Sequence, residues 1–190
     1  MILIKIGVGD SWSWNGLNGQ PAKIEVYSRA PHVELYVNDK KVARKKRGNN
    51  CMLKFKIKYY DGKITAVNLD KNGIELSKYT LTTAETETIL SVLPEKTEVT
   101  LGEVCFVPLA FTDKYGNTKP LEHHRISVHI EGGELLALGH GGPFNKESYL
   151  QTETNTYFGS ALAVVKATTN KVTITAKGNA LRGSAEIIAK

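Results

Sequence analysis

The sequence predicts an all-β protein made of two consecutive β-sandwich domains, and three observations indicate this. Short apolar stretches alternate with polar residues at period two, which puts one set of side chains in a core and the other in water. Turn residues separate these stretches at intervals of about 8–12 residues, as expected of a sandwich. No stretch combines a helical period with convincing helix caps.

The composition is that of a folded protein. Hydrophobic residues make up 41% of the 190 residues and charged residues 23%, so disorder is not expected. No apolar run approaches the roughly 18 residues that a membrane span needs, and we expect no membrane partner. The start, MILIKIGVGDSW, is typical of a strand and not of a signal peptide.

The first strand is predicted over residues 2–8. Residues 11–42 follow, with the only two tryptophans of the chain, Trp12 and Trp14, a turn in NGLNG and two alternating strands. The inward side chains of these two strands are predicted to be Ile24, Val26, Val33, Leu35 and Val37. In the strand CMLKFKIK, Leu53, Phe55 and Ile57 face inward and the outer face is entirely lysine, which discourages edge pairing.

Two further strands, KITAVNL and IELSKYTL, complete the first domain. Asp61-Gly62 predicts a hairpin turn before the first of them, and residues 70–73 predict a turn between the two. The polar stretch TTAETET then has no apolar periodicity, so we place a domain boundary near residues 84–85. The domains 1–84 and 85–190 have the size of immunoglobulin-like β-sandwiches, each with about seven strands.

The second domain starts with two short edge strands that Pro94 separates, followed by the long strand VCFVPLAFTD. ISVHIEGG is the next strand, LLALGHGGP runs into a Gly-rich loop at Gly139, Gly141 and Gly142, and NKESYLQTETNTYFG is predicted to be a long polar loop. GSALAVVKAT has helical propensity, but we predict a strand because the strands KVTITAKG and GSAEIIAK follow at once. No Cys…Trp…Cys arrangement is present, so the domain is not of the antibody type.

The net charge of +6 and the pI near 9.2 owe much to a basic run at residues 40–48. We predict that this run is a solvated hairpin. A contact with phosphates or an acidic surface is the alternative, but no interleaved aromatics or nucleic-acid motif support it, so no nucleic-acid partner is expected. Cys51 and Cys105 are predicted to be free, buried thiols.

The first half resembles the domain that follows the catalytic barrel in bacterial β-galactosidases of glycoside hydrolase family 2. The residues that carry this resemblance are Trp12, Trp14, Gly16, Gly19, Pro21, Val26, Ser28, Ala30, Val33, Glu34, Leu35, Val37 and Asn38. The second half resembles the C-terminal immunoglobulin-like domain of the same enzymes, through Asp113, Gly116, Asn117 and the stretches at 133–139 and 159–178. The segment IGVGDS before the tryptophans and the loop at 139–143 depart from the family pattern.

The resemblance implies a non-catalytic region whose partner is the catalytic barrel of the parent polypeptide, and an oligomer could form through that parent. Such enzymes are retaining glycosidases with two carboxyl groups about 5–5.5 Å apart on the barrel. This chain is too short to contain a barrel, so we predict no catalytic residues, no cofactor and no hydrolase activity of its own. We expect its glutamates, Glu25, Glu34 and Glu75 among them, to be solvated.

Three residues are candidates for contact with carbohydrate or with the barrel. Trp12 and Trp14 either pack over the end of the first sandwich or against the barrel, or they stack on a sugar. His140 lies in a loop whose glycines let the backbone approach a ligand closely. Adjacent His123 and His124 point to opposite sides of a strand and make a poor metal chelate. A free-standing carbohydrate-binding or adhesin-like module that uses Trp12 and Trp14 is the alternative function.

Overall fold

The computed structural model describes residues 2–6 and 10–190 and is entirely β in its regular structure. The chain divides into two compact units, Met1–Ala84 and Glu85–Lys190. Each unit is a pair of sheets that enclose a core, so the predicted all-β class with immunoglobulin-like sandwiches is confirmed. No helix in the described part of the chain has the length and apolar character needed to cross a membrane.

Seven strands are described in the first unit: β1 (Ile2–Ile6), β2 (Pro21–Ser28), β3 (His32–Val37), β4 (Lys40–Lys46), β5 (Met52–Lys58), β6 (Lys63–Leu69) and β7 (Glu75–Thr82). They form a three-stranded sheet, β1-β2-β5, and a four-stranded sheet, β4-β3-β6-β7, both antiparallel. The predicted inward residues of β2 and β3 are buried, and they pack with Phe55 and Ile64. Residues 7 and 8 of the predicted first strand lie outside the described residues.

The predicted hairpin at Asp61-Gly62 is wrong. The strands on either side, β5 and β6, belong to different sheets, so this link carries the chain across the core. Asn38 holds the link in place, because its Nδ2 donates to the carbonyl of Asp61 and its Oδ1 accepts from the N–H of Lys63, both at 2.8 Å. Gly62 has φ of 118°, and a Cβ there would lie 2.0 Å from the Asn38 Oδ1 atom.

Nine strands are described in the second unit: β8 (Ile89–Val92), β9 (Glu98–Val99), β10 (Val104–Thr112), β11 (Arg125–Glu131), β12 (Gly133–Gly139), β13 (Glu153–Asn155), β14 (Ser160–Ala167), β15 (Lys171–Gly178) and β16 (Leu181–Ala189). Their orders are β12-β14-β10-β8 and β13-β11-β15-β16-β9. The estimate of about seven strands is therefore too low for this unit.

The extra strand β13 lies in the stretch predicted to be a polar loop. It pairs with β11, and Thr154 at its centre is buried. The sequence does not reveal this strand, because its three residues are all polar and too few to show period two. The predicted strand at residues 159–168 is confirmed as β14, in which Ala161, Ala163 and Val165 are buried on one face.

Candidate functional site

The link between β1 and β2 of the first unit is anchored by Trp12, whose side chain is completely buried. Its ring packs at 4.6 Å from the ring of Tyr59, and its Nε1 donates to the carbonyl of Tyr60 at 3.0 Å. The ring therefore belongs to the core of the sandwich and presents no surface to a sugar. Burial of an indole of this size also contributes strongly to stability.

The hydroxyl of Tyr59 forms hydrogen bonds with several polar groups next to Trp12. It accepts the backbone N–H of Trp14 at 3.1 Å, and it lies 2.8 Å from Asp61 Oδ1 and 3.1 Å from the carbonyl of Trp12. Burial raises the pKa of the Tyr59 hydroxyl above its usual value, although hydrogen bonds with Thr83 and Trp14 oppose the rise. The hydroxyl therefore stays protonated and able to donate.

The segment that leaves the first unit is bonded to the link between β1 and β2. The Thr83 hydroxyl donates to the carbonyl of Trp12, and the N–H of Ala84 donates to Ser13 Oγ, both at 2.8 Å. Both acceptors lie in buried residues, so water competes little for these bonds. We call this arrangement the exit clamp.

Trp14 differs from Trp12 because its side chain is only half-buried. Its Nε1 donates to the carbonyl of Ser11 at 3.1 Å. The ring forms part of the wall of a groove of about 320 Å³, whose other lining residues are Leu17, Gln20, Pro21, Ala22, Lys23 and Tyr59. The prediction that the tryptophans contact a sugar therefore rests on Trp14 alone.

His140 belongs to the second unit and is half-buried there. Its Nδ1 accepts the N–H of Gly142 at 3.0 Å, so the neutral ring carries its proton on Nε2. The ring stacks on Tyr157, with centroids 5.8 Å apart and an angle of 23° between the planes. These contacts explain the loop geometry, and a ligand role for His140 stays a prediction.

Glu34 corrects the prediction that the outward glutamates are solvated. Only 9% of its side chain is exposed, compared with 33% for Glu25. A hydrogen bond from the Tyr36 hydroxyl at 2.6 Å holds the pKa of Glu34 below its usual value against the effect of burial, with the help of Lys41 and Arg44. These donors occupy the carboxylate, which makes it a structural group.

Two polar groups of the second unit are buried: Asp113, which carries part of the family resemblance, and Lys119, which the sequence did not single out. Asp113 accepts the N–H groups of Glu85, Tyr115 and Asn117 at 2.9 Å each. Buried Lys119 donates from Nζ to the carbonyl of Thr86 and to Thr88 Oγ1, both at 2.7 Å. An aspartate four residues before an asparagine is the sequence signal of the turn at Asp113, but it does not show that the carboxylate is buried.

Cys51 corrects a second prediction, because its thiol is exposed, whereas Cys105 is buried as expected. Residue 51 lies just before the first paired residue of β5, where the alternation no longer determines burial.

Among residues 10–190, no three His, Cys, Asp or Glu side chains cluster in a way that could hold a metal ion. The Nε2 atom of His124 lies 2.6 Å from Oε2 of Glu122, and the ring of His123 packs edge-on against the ring of Phe158.

Comparison with known families gives two matches. Residues 90–187 match the model of Glycoside hydrolase family 2 C-terminal domain 5. Residues 19–77 match the model of a Domain of unknown function (DUF4982). A search of curated proteins found no match to the chain.

Several solved structures share the fold. A glycosyl hydrolase family 2 member from Bacteroides cellulosilyticus superposes with a TM-score of 0.85 and 24% identity over 98% of this chain. A beta-glycosidase from Bacteroides vulgatus gives 0.83 and 23% over 99%, and a beta-glucuronidase from glycoside hydrolase family 2 gives 0.79 and 22% over 100%. The chain spans only 28%, 25% and 20% of the lengths of these three proteins.

Proposed function

The chain belongs to the family Glycoside hydrolase family 2 C-terminal domain 5, and we propose that it is a non-catalytic accessory region that supports the catalytic barrel of a family 2 glycoside hydrolase. The exit clamp is the observation that carries this proposal. Because Thr83 and Ala84 are bonded to Trp12 and Ser13, the first sandwich holds the segment that leaves it firmly against the link between β1 and β2. A domain that braces its neighbour needs such rigid connections.

The carboxylates of the chain also support a non-catalytic role. A retaining glycosidase needs a nucleophile and an acid/base whose oxygens are free to face the sugar. Buried Glu34 and Asp113 instead have their oxygens occupied by donors from the same unit. Chemistry on the substrate is therefore assigned to the barrel of the parent polypeptide.

The resemblance to β-galactosidases supports a β-galactoside as the substrate class of the parent. A β-galactoside is therefore the first substrate to test. A β-glucuronide is the second, because one of the similar structures is named a beta-glucuronidase.

The proposal is tested by expressing the complete reading frame with and without residues 10–190. Deletion is expected to lower the temperature at which hydrolysis of nitrophenyl glycosides is lost, and the 190-residue chain alone is expected to hydrolyse none. A Trp12→Ala variant of the complete protein should also lower that temperature while KM stays unchanged. Hydrolysis by the isolated chain, a reading frame without a catalytic domain, or a deletion without effect would each overturn the proposal.

The groove beside Trp14 favours a second candidate function, carbohydrate binding. Its walls are mostly apolar, and a half-exposed indole can stack on the apolar face of a sugar. Titration of the chain with galacto-oligosaccharides should then change the tryptophan fluorescence, and Trp14→Ala should abolish the change. Buried Trp12 provides a constant background signal. An unchanged spectrum across the series would reject this candidate.

A further inference from the structure

The positive charge of the chain is concentrated in residues 40–58. This stretch contains nine of the 25 lysines and arginines and no aspartate or glutamate. The rest of the chain holds the other 16 cations against 19 carboxylates, so it is net acidic. One segment therefore accounts for the basic character of the whole protein.

The fold brings this charge to one edge of the first sandwich. β4 is an outer strand of one sheet and β5 is an outer strand of the other. The two meet where Lys45 Nζ donates to the carbonyl of Lys54 at 2.6 Å and lies 5.4 Å from the centre of the Phe55 ring. We call the surface formed by residues 40–58 the cationic edge.

Few of these charges are neutralised within the chain. Lys41 and Arg44 pair with Glu34, and Lys54 pairs with Glu25. In the part of the chain that the structure describes, no carboxylate lies within ion-pair distance of the other six, which are Lys40, Lys45, Lys46, Arg47, Lys56 and Lys58. All six are exposed except Arg47, which is half-buried.

Arg47 adds a second observation. Its backbone N–H donates to the carbonyl of Pro31 at 2.8 Å, which anchors the end of the basic run. Its Nε is buried and has no hydrogen-bond partner among the described residues. A buried donor without a partner is costly, and an anion that reaches this guanidinium would relieve that cost.

Protection of the sheet edges does not explain the pattern. Charged side chains on an outer strand prevent pairing with another chain, but mixed signs would serve as well. A single sign on two neighbouring outer strands creates a positive field instead. Alternate residues of a strand are about 6.6–6.8 Å apart, so the cations form extended rows that suit an extended ligand with repeated negative charges.

We propose that the cationic edge binds a linear anionic polysaccharide with carboxylate or sulfate groups. The edge lacks the stacking platform that single-stranded nucleic acid uses, because Phe55 is buried. Membership of a glycoside hydrolase family also favours a glycan. Binding of an anion is inferred from the charge and geometry of the first unit, so the proposal does not depend on support of a catalytic barrel.

The test measures binding of the 190-residue chain to heparin and to polygalacturonate, with neutral dextran and a DNA duplex of similar length for comparison. Binding to one or both acidic polysaccharides is expected, with an affinity that falls by about tenfold or more between 50 and 200 mM salt. Heparin and polygalacturonate distinguish sulfate from carboxylate recognition. Dextran should not bind.

Matched variants separate the edge from bulk charge. Lys46→Gln, Lys56→Gln and Lys58→Gln together should weaken binding at least tenfold, and arginine at the same positions should retain it. Lys71→Gln, Lys146→Gln and Lys177→Gln remove the same charge from exposed positions elsewhere and should change affinity less than about twofold. Equal losses in both glutamine variants, no binding to either polysaccharide at 50 mM salt, or tighter binding to DNA would overturn the proposal.

Discussion

The hydroxyl oxygen of Tyr59 lies 3.1 Å from the carbonyl oxygen of Trp12, and the two rings pack with centroids 4.6 Å apart. The residues are 47 positions apart in the sequence. Their contact joins the link between β1 and β2 to the residue just after β5. In the sequence, Trp12 suggests a platform for a ligand, but this contact places its ring in the core.

Replacing Trp12 by alanine should therefore destabilise the first unit by about 3–5 kcal/mol, because it removes a fully buried ring and leaves a cavity. Urea unfolding followed by circular dichroism measures this. Trp14→Ala is the matched control and should cost clearly less, since that ring is only half-buried. Equal losses in the two variants would contradict the assignment of Trp12 as the anchor.

Tyr59→Phe should lower the free energy of unfolding of the first unit by about 1–3 kcal/mol. It removes the hydroxyl but keeps the ring, and the partly buried N–H of Trp14 loses its acceptor. Tyr60→Phe provides the control, because that side chain is exposed and should change stability by less than about 0.5 kcal/mol. A neutral Tyr59→Phe variant would show that the ring alone provides the stabilisation that Tyr59 contributes.

Glu34 and Glu25 offer a matched pair, since each accepts from a tyrosine two residues later on its strand. Glu34→Gln should cost about 1–3 kcal/mol because it disturbs a buried carboxylate, whereas Glu25→Gln should cost less. The hydrogen bond from Tyr36 holds the folded pKa of Glu34 below its usual value. Its stabilisation is therefore complete above the usual pKa and disappears as the pH falls through the lowered one.

Unfolding curves between pH 7 and pH 3 check this sign. The difference in unfolding free energy between the wild type and Glu34→Gln should shrink as the solution is acidified. A difference that grows at low pH would contradict the description of Glu34 as an ionised, hydrogen-bonded group.

Asp113 should govern the acid stability of the second unit. Burial raises the pKa of Asp113, but hydrogen bonds from Asn117, Glu85 and Tyr115 outweigh it and hold the pKa below its usual value. Asp113→Ala should destabilise this unit by about 1–3 kcal/mol at pH 7, and less as the pH falls below the usual aspartate value of about 3.9. Calorimetry across pH measures the effect, with exposed Asp39→Asn as a control that leaves the second unit unchanged.

The two thiols should react at different rates. A thiol reagent should modify Cys51 rapidly in the folded chain, since its side chain is exposed, and Cys105 only after unfolding. The Sγ atom of Cys105 lies 3.5 Å from the carbonyl of Phe106 inside the second core. Cys51→Ser should abolish the fast phase, and a fast phase that survives this change would show that Cys105 is accessible.

The sequence predicted the strands well and the pairing of some of them badly. Val33, Leu35 and Val37 face the core as expected, because alternation depends only on the local backbone. The turn signal of Asp61-Gly62 is equally local, but it does not reveal which strands it joins. β5 and β6 bury their apolar faces against each other across the core because they lie in opposite sheets. The chain therefore crosses between the sheets at Asp61-Gly62 instead of forming a hairpin.

For the candidate site, the sequence by itself determined which residues are unusual: Trp12, Trp14, His140 and the basic run. It also determined the all-β class, because the alternation of apolar and polar residues can be read directly from the sequence. Only the tertiary structure decided that Trp12 is core while Trp14 borders a groove, that Glu34 is buried, and that β4 and β5 combine their cations on one edge. Burial and charge density depend on residues that are distant in the sequence, so a local sequence pattern cannot predict either.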